Sequence, residues 1–175
     1  TFFGKSGIGK TTLMNISGGL LEPDTGTVKI NEINLNSKNA ISKNIRAQTF
    51  GYIFQSHCLL PELTIIENLL LPVYIHNYSK KDKLNEIYKY LDLLGLIHVI
   101  DLFPHMLSFG ENQRISIIRS LINNPSIIFA DEPTGNLDEN NSNIILDLFV
   151  KLNNDYNCTF IIATHDKKFT SISSK

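Results

Sequence analysis

The sequence predicts an α/β domain in which a mostly parallel sheet is flanked by helices and interrupted by a mostly helical insertion. Three observations carry that expectation. Thr1-Phe2-Phe3, a glycine-rich loop and a helical pattern from Lys10 form a strand–loop–helix unit. Residues 126–130 and 159–163 are apolar runs of the kind found in strands buried on both faces, with a helical pattern between them. From 58 to 104 the apolar spacing is helical, so this stretch breaks the alternation of strand and helix.

Composition narrows the field before any motif is used. At 175 residues, 42% hydrophobic and 19% charged, the chain has the size of one domain and enough apolar content for a core, which excludes a disordered segment. A net charge of −1 gives no overall field for nucleic acid or an anionic lipid surface, so no nucleic-acid partner is expected. The richest apolar stretch, residues 69–75, is far shorter than the about 20 residues that cross a bilayer, and it contains Pro72. Cys58 and Cys158 stand apart with no Cys-x-x-Cys or Cys/His ligand spacing, so they read as free thiols. Thr1-Phe2-Phe3 reads as the tail of a buried strand with no initiator Met, and a fragment of a longer sequence is expected.

The loop is Gly4-Lys5-Ser6-Gly7-Ile8-Gly9-Lys10-Thr11-Thr12, which satisfies the spacing Gly, four residues, Gly-Lys-Thr. Gly4, Gly7 and Gly9 let the backbone turn so that successive N–H groups face an anion. Lys10 offers a compact charge to the β- and γ-phosphates, and Thr11 a hydroxyl to Mg2+. The helix that opens at Lys10 presents its N-terminus to negative charge. Gly18-Gly19 ends that helix, Glu22-Pro23-Asp24-Thr25-Gly26 is turn chemistry, and residues 27–30 and 33–35 form a short hairpin around Asn31-Glu32.

Residues 37–47 are polar and read as a weak helix or a loop. Phe50-Gly51-Tyr52-Ile53-Phe54 is strand-like and delivers Gln55 to the carboxyl edge of the sheet, where open α/β sheets bind ligands. Thr64-Ile65-Ile66-Glu67 has the capping-box form and opens a helix expected to end before Pro72. Ser79-Lys80-Lys81-Asp82 opens a longer helix with Leu84, Ile87, Tyr88, Leu91 and Leu94 on its core face. A helix over 111–123 carries Ile115, Ile118 and Ile122, and Asn123-Asn124-Pro125 stops it. The last long helix, about 141–153, buries Ile145, Leu148, Phe149 and Leu152.

Two carboxylates, Asp131 and Glu132, follow the buried run 126–130. That placement is costly unless a cation or a reaction uses them. Beside a phosphate loop, Asp131 would hold Mg2+, directly or through water, and Glu132 would orient and deprotonate the water that attacks the γ-phosphate. His165 follows the next buried strand, emerges near the same edge and is a candidate to hydrogen-bond the γ-phosphate. Gln55 reaches either Mg2+ or the attacking water.

The order Gly4 to Thr11, Gln55, Leu107-Ser108-Phe109-Gly110-Glu111, Asp131-Glu132, Asn136-Leu137-Asp138 and His165 resembles the nucleotide-binding domain of an ABC ATPase over almost the whole chain. The resemblance implies a RecA-like core over 1–57 and 105–175, with 58–104 as the helical subdomain that docks on a membrane partner. It implies ATP and Mg2+ as the only cofactors, with no other metal site. Two such domains, here as a homodimer, close head to tail around two ATP molecules, and Ser108, Gly110 and Glu111 form the signature that contacts the opposite subunit's ATP. Asn136, Leu137 and Asp138 match the loop that couples the two sites, and Gln55 matches the switch facing integral membrane permease subunits. The implied location is peripheral, on the cytoplasmic face of the bacterial inner membrane.

Phe109 departs from the family, since it replaces the first glycine of the usual Leu-Ser-Gly-Gly; it either crowds the opposite nucleotide or points away. The family's adenine-stacking aromatic lies upstream of the loop, and a last strand and helix follow the histidine, so truncation at both ends is expected. Within the family, Gln55-Ser56-His57-Cys58-Leu59-Leu60-Pro61-Glu62 and Asp131-Glu132-Pro133-Thr134-Gly135-Asn136-Leu137-Asp138 are similar to the lipoprotein-releasing (Lol) branch. That branch also holds macrolide-exporter and cell-division ATPases, which are the alternative. A soluble ABC ATPase acting on DNA or ribosomes would carry long coiled coils or a duplicated domain, and an inactive fragment is the remaining reading.

Overall fold

The computed structural model describes residues 1–5, 7–30, 33–35, 46–76, 78–156 and 158–172. Four strands, β1 (Phe2–Phe3), β4 (Phe50–Ile53), β5 (Ile127–Asp131) and β6 (Thr159–Thr164), form one sheet in the order β1-β6-β5-β4 with every pairing parallel. A separate antiparallel hairpin pairs β2 (Lys29–Ile30) with β3 (Ile33–Asn34). Its turn, Asn31-Glu32, lies outside the described residues, as do Ser6 and most of the polar stretch 37–47; residues 46–49 are helical.

Parallel pairing has a direct consequence for function, because it puts the carboxyl ends of all four strands on one edge. The register is tight there: Phe3 pairs with Thr164, Asp131 with Ala163, and Ile53 with Ala130. The residues that follow these strands are the loop from Gly4, Gln55, Glu132 and His165. β5 is buried from Ile128 to Asp131, as an apolar run covered on both faces should be.

Helix α1 (Lys10–Ser17) follows the loop. The insertion contributes α2 (Ile65–Ile75) and α3 (Lys80–Leu93), then two 3-10 turns, Ile97–Val99 and Pro104–Met106. Helices α4 (Phe109–Leu121), α5 (Glu139–Tyr156) and the short α6 (Lys168–Ile172) complete the chain.

α4 joins two apolar clusters. Ile117 and Leu121 pack with Ile128, Ile145, Phe149 and Ile162 under the sheet, while Ile115, Ile118 and Ile122 pack with Leu69, Ile87 and Leu91 of the insertion. The insertion is therefore seated on the flank of α4, the helix whose N-terminus carries Ser108.

Two expectations are corrected. α2 does not stop before Pro72 but runs through it to Ile75. A mid-helix proline costs about 3 kcal/mol, and Leu69, Leu70 and Val73, buried on the same segment, offset it, since each contributes about 1.5–3 kcal/mol. On α3, Ile87 and Leu91 are buried and Leu84 and Leu94 pack against the cluster, but Tyr88 faces solvent; Tyr90 takes the partly buried aromatic place. The smaller differences lie at helix ends, where fraying and caps decide the boundary.

Candidate phosphate-binding and hydrolytic site

Gly7, Gly9, Lys10, Thr11, Thr12, Gln55, Glu132 and His165 line one cavity of about 300 Å3 at the carboxyl edge of the sheet. These residues are brought together from four places in the chain. Gly7 and Gly9 have φ of 83° and 94°, in the left-handed region where a Cβ is strained, so the loop needs glycine at both. Lys10 Nζ donates to the carbonyls of Gly4 (2.8 Å) and Lys5 (3.1 Å) and lies 3.6 Å from Glu132 Oε1. The ammonium is thus held over the loop by the loop's own backbone. Ile8 is 64% exposed and points away from the core. Ser6 lies outside the described residues.

Glu132 sits immediately past β5 at φ 44°, unusual for a residue with a side chain and worth about 1–3 kcal/mol of strain. The turn is fixed on both sides: its N–H donates to Ala163 O (2.8 Å), and its carbonyl accepts from Gly135 N (3.0 Å). Its carboxylate Oε2 accepts from Thr164 Oγ1 (3.0 Å) and His165 N (3.4 Å) and lies 2.9 Å from His165 Nδ1. With Glu132 ionised, Nδ1 carries the proton. Burial pushes the carboxyl's pKa up, but the hydrogen bonds from His165 and Thr164 outweigh it and hold Glu132 below its ordinary value of 4.5.

A depressed carboxylate pKa stabilises the ionised fold above the unfolded value, and that contribution is lost as pH falls through the lower folded value. Glu132 is therefore a charged acceptor throughout the neutral range. Replacing His165 by Ala removes the side-chain donor, so the acid limb of the pH profile of kcat/KM should move to higher pH. The profile, fitted separately from the overall loss of turnover, tests this; an unmoved limb would detach His165 from Glu132.

Asp131, one residue earlier, is only 7% exposed, and its Oδ1 has no hydrogen-bond partner among the described residues. A buried carboxylate oxygen without a donor calls for a cation. Thr11 and Gln55, the other predicted metal ligands, line the adjoining cavity. Mg2+ therefore fits the residues present.

The remaining predicted residues do not line this cavity. Ser108 caps α4 and forms a reciprocal box with Glu111: Ser108 N and Oγ donate to Glu111 Oε2 (2.8 and 2.6 Å), and Glu111 N donates to Ser108 Oγ (3.3 Å). Those bonds hold the Glu111 carboxyl below its usual range. Asn136 is exposed, Leu137 N bonds Thr134 O (3.0 Å), and Asp138 caps α5. Phe109 is 39% exposed with its ring centroid 5.9 Å from that of His57, so it is engaged inside its own subunit.

Sequence reasoning passed over Thr164, which bonds Glu132, and Gln113 and Arg119, which secure the segment around Gln55. Gln113 Nε2 donates to Phe54 O (3.3 Å), and Arg119 Nη2 to His57 O (3.2 Å) and Cys58 O (2.8 Å). Thr164 had one available signal, its place beside His165 at a strand end. Gln113 and Arg119 had none, because their partners are about 60 residues away in the chain.

Comparison with known proteins agrees with this geometry. The profile of the ABC transporter family matches residues 1–135. The lipoprotein-releasing system ATP-binding protein LolD of Cytophaga hutchinsonii is 46% identical over 173 residues, covering 98% of this chain and 79% of that protein. LolD of Buchnera aphidicola is 47% identical over 93% of this chain and 72% of its own length. Among solved structures, the dimeric bacterial ABC transporter cassette MJ0796 superposes with a TM-score of 0.87 at 37% identity, over 95% of this chain and 74% of that one. Its dimeric post-hydrolysis state, bound to ADP and phosphate, gives 0.86 at 36%. A glycine loop, a buried acidic strand end and a histidine on one sheet edge, together with these relatives, leave a single conclusion: the chain belongs to the ABC transporter family, as one of its ATP-hydrolysing cassettes.

Proposed function

We propose that this cassette powers the release of lipoproteins from the bacterial inner membrane toward the outer membrane. The observation that supports the chemistry is the cavity in which Lys10, Thr11, Gln55, Glu132 and His165 converge. The observation that supports the cargo is the 46–47% identity to ATP-binding proteins of lipoprotein-releasing systems. A macrolide-type exporter or cell-division complex is the second reading, and it rests on the branch those proteins share.

In the proposed mechanism the Gly4–Thr12 backbone and Lys10 bind the phosphates, and Thr11, Gln55 and Asp131 would hold Mg2+. Bound there, the ion would supply positive charge to neutralise the phosphate oxygens. Glu132 takes the proton of the attacking water, and His165 fixes the carboxylate and reaches the γ-phosphate. Ser108, Gly110 and Glu111 complete the site of a second copy, and Asn136, Leu137 and Asp138 couple the two. Their absence from their own subunit's cavity supports this division of labour.

Residues 58–104 are assigned as the helical subdomain facing the permease subunits, with 1–57 and 105–175 as the core. A groove of about 540 Å3 lined by Leu20, Phe50, Leu71, Pro72, Ile75 and Arg119 supports that face, as do the 73% exposed Ile75 and the 55% exposed Tyr74. Among the described residues no helix is long and apolar enough to cross a membrane. The proposal places the cassette at the cytoplasmic face of the inner membrane through those permease subunits.

Asp131→Asn should raise the Mg2+ concentration needed for half-maximal turnover by about tenfold or more, as loss of a charged metal contact does. Metal-free ATP binding should stay as it was. A magnesium titration of the variant checks this, and an unshifted midpoint would remove Asp131 from the metal site. For the cargo, the full-length Glu132→Gln protein is isolated from native membranes with ATP, and co-purifying proteins are identified. Recovery of lipoprotein-releasing permease subunits supports the proposal. Exporter or division proteins, or nothing membrane-embedded, would overturn the cargo and leave the ATPase.

A further inference from the structure

Asn141, in the first turn of α5, joins the turn at Asp138 to α4 through one small side chain. Its backbone N–H donates to Asp138 Oδ1 (2.9 Å), and its amide Nδ2 donates to Asp138 Oδ2 (2.6 Å). Its amide Oδ1 accepts from Arg114 Nη1, on α4. It also fills the space beside Gly110, where a Cβ would lie 3.1 Å from Asn141 Cγ. One amide therefore touches the turn at Asp138 and two successive turns of α4, at the signature glycine Gly110 and at Arg114.

The chemistry of the position is restrictive. Nδ2 must donate to a carboxylate while Oδ1 accepts from a guanidinium, and a short carboxamide does both without charge. Aspartate would keep Arg114 but set a second carboxylate against Asp138. Alanine would strip a partner from Arg114, whose buried Nε already has none among the described residues. The contact to Gly110 sets a steric limit as well, since a longer side chain would push the start of α4 away.

We propose that Asn141 is a positioning residue that ties the Asn136–Asp138 turn to the signature segment of the same subunit, so that both are presented together to the opposite subunit's ATP. The inference rests on the head-to-tail pairing proposed above, and it assigns Asn141 no contact with nucleotide.

The test uses the full-length Glu132→Gln protein as parent, alone and with Asn141→Ala, Asn141→Asp or Asn141→Ser. Two quantities are read: the ATP affinity of the monomer, and the dissociation constant of the ATP-bound dimer by analytical ultracentrifugation. Asn141→Ala should weaken the dimer by about tenfold, the value of a lost hydrogen bond to a charged group, with monomer affinity held within about twofold. Asn141→Asp should be weaker still because its carboxylate faces Asp138. Asn141→Ser, which keeps a group that donates and accepts, should fall between Ala and the parent, and it carries the test if the others fail to fold. Dimers as tight as the parent's, or ATP affinity falling in step with dimerisation, would overturn the inference. A parent that stays monomeric with ATP would overturn the pairing itself, and the inference with it.

Discussion

Glu132→Gln should lower the rate of ATP hydrolysis by roughly 10²- to 10⁴-fold, the usual contribution of a positioned general base. The substitution is nearly isosteric. Its amide oxygen can still accept from Thr164 Oγ1 and the His165 N–H, so the turn at φ 44° has no reason to collapse. What it loses is the ability to take a proton. It also releases Lys10 from the carboxylate 3.6 Å away, so ATP binding should be kept or strengthened. Single-turnover phosphate release beside a binding titration separates the two effects. Unchanged turnover would remove Glu132 from the role of base, and weakened binding would show that the carboxylate organises the loop.

Lys10→Ala should act on the other quantity, weakening nucleotide binding by roughly 10- to 100-fold, as expected for losing one or two hydrogen bonds from a charged donor. The Lys10 side chain is only 9% exposed and its ammonium is held by two backbone carbonyls, so it meets the phosphates pre-positioned and loses little side-chain freedom on binding. Alanine also leaves Glu132 without its cation, so a bound phosphate would face an uncompensated carboxylate. Isothermal titration with ATP and Mg2+ checks this; unaltered affinity would take the loop out of the account. Because Lys10 acts on binding and Glu132 on the chemical step, the two variants should fail differently.

Much of this architecture was legible in the residues. The buried run ending at Asp131 marked a central strand, the Thr64 box marked a helix start, and the glycine spacing marked the loop. Each of those signals is local, and local chemistry wins where the backbone groups must be satisfied within a few residues. The end of α2 was misread because a proline's local cost is smaller than the apolar burial on either side of it. Tyr88 was misread because a helix can satisfy its core stripe with Ile87 and Leu91 and leave the neighbour outside.

The sequence by itself determined the chemistry available to this protein, since a glycine loop with Lys10 and Thr11, a strand ending in Asp131-Glu132 and a strand ending before His165 are properties of spacing. Tertiary structure alone decided how those groups meet. The parallel sheet brought four distant strand ends to one edge, and His165 and Thr164 meet the Glu132 carboxylate there at hydrogen-bond distance. Arg119, Gln113 and Asn141 were assigned their partners by the packing of α4 across two cores, because a hydrogen bond between residues 27 to 62 apart leaves no periodic trace in the chain.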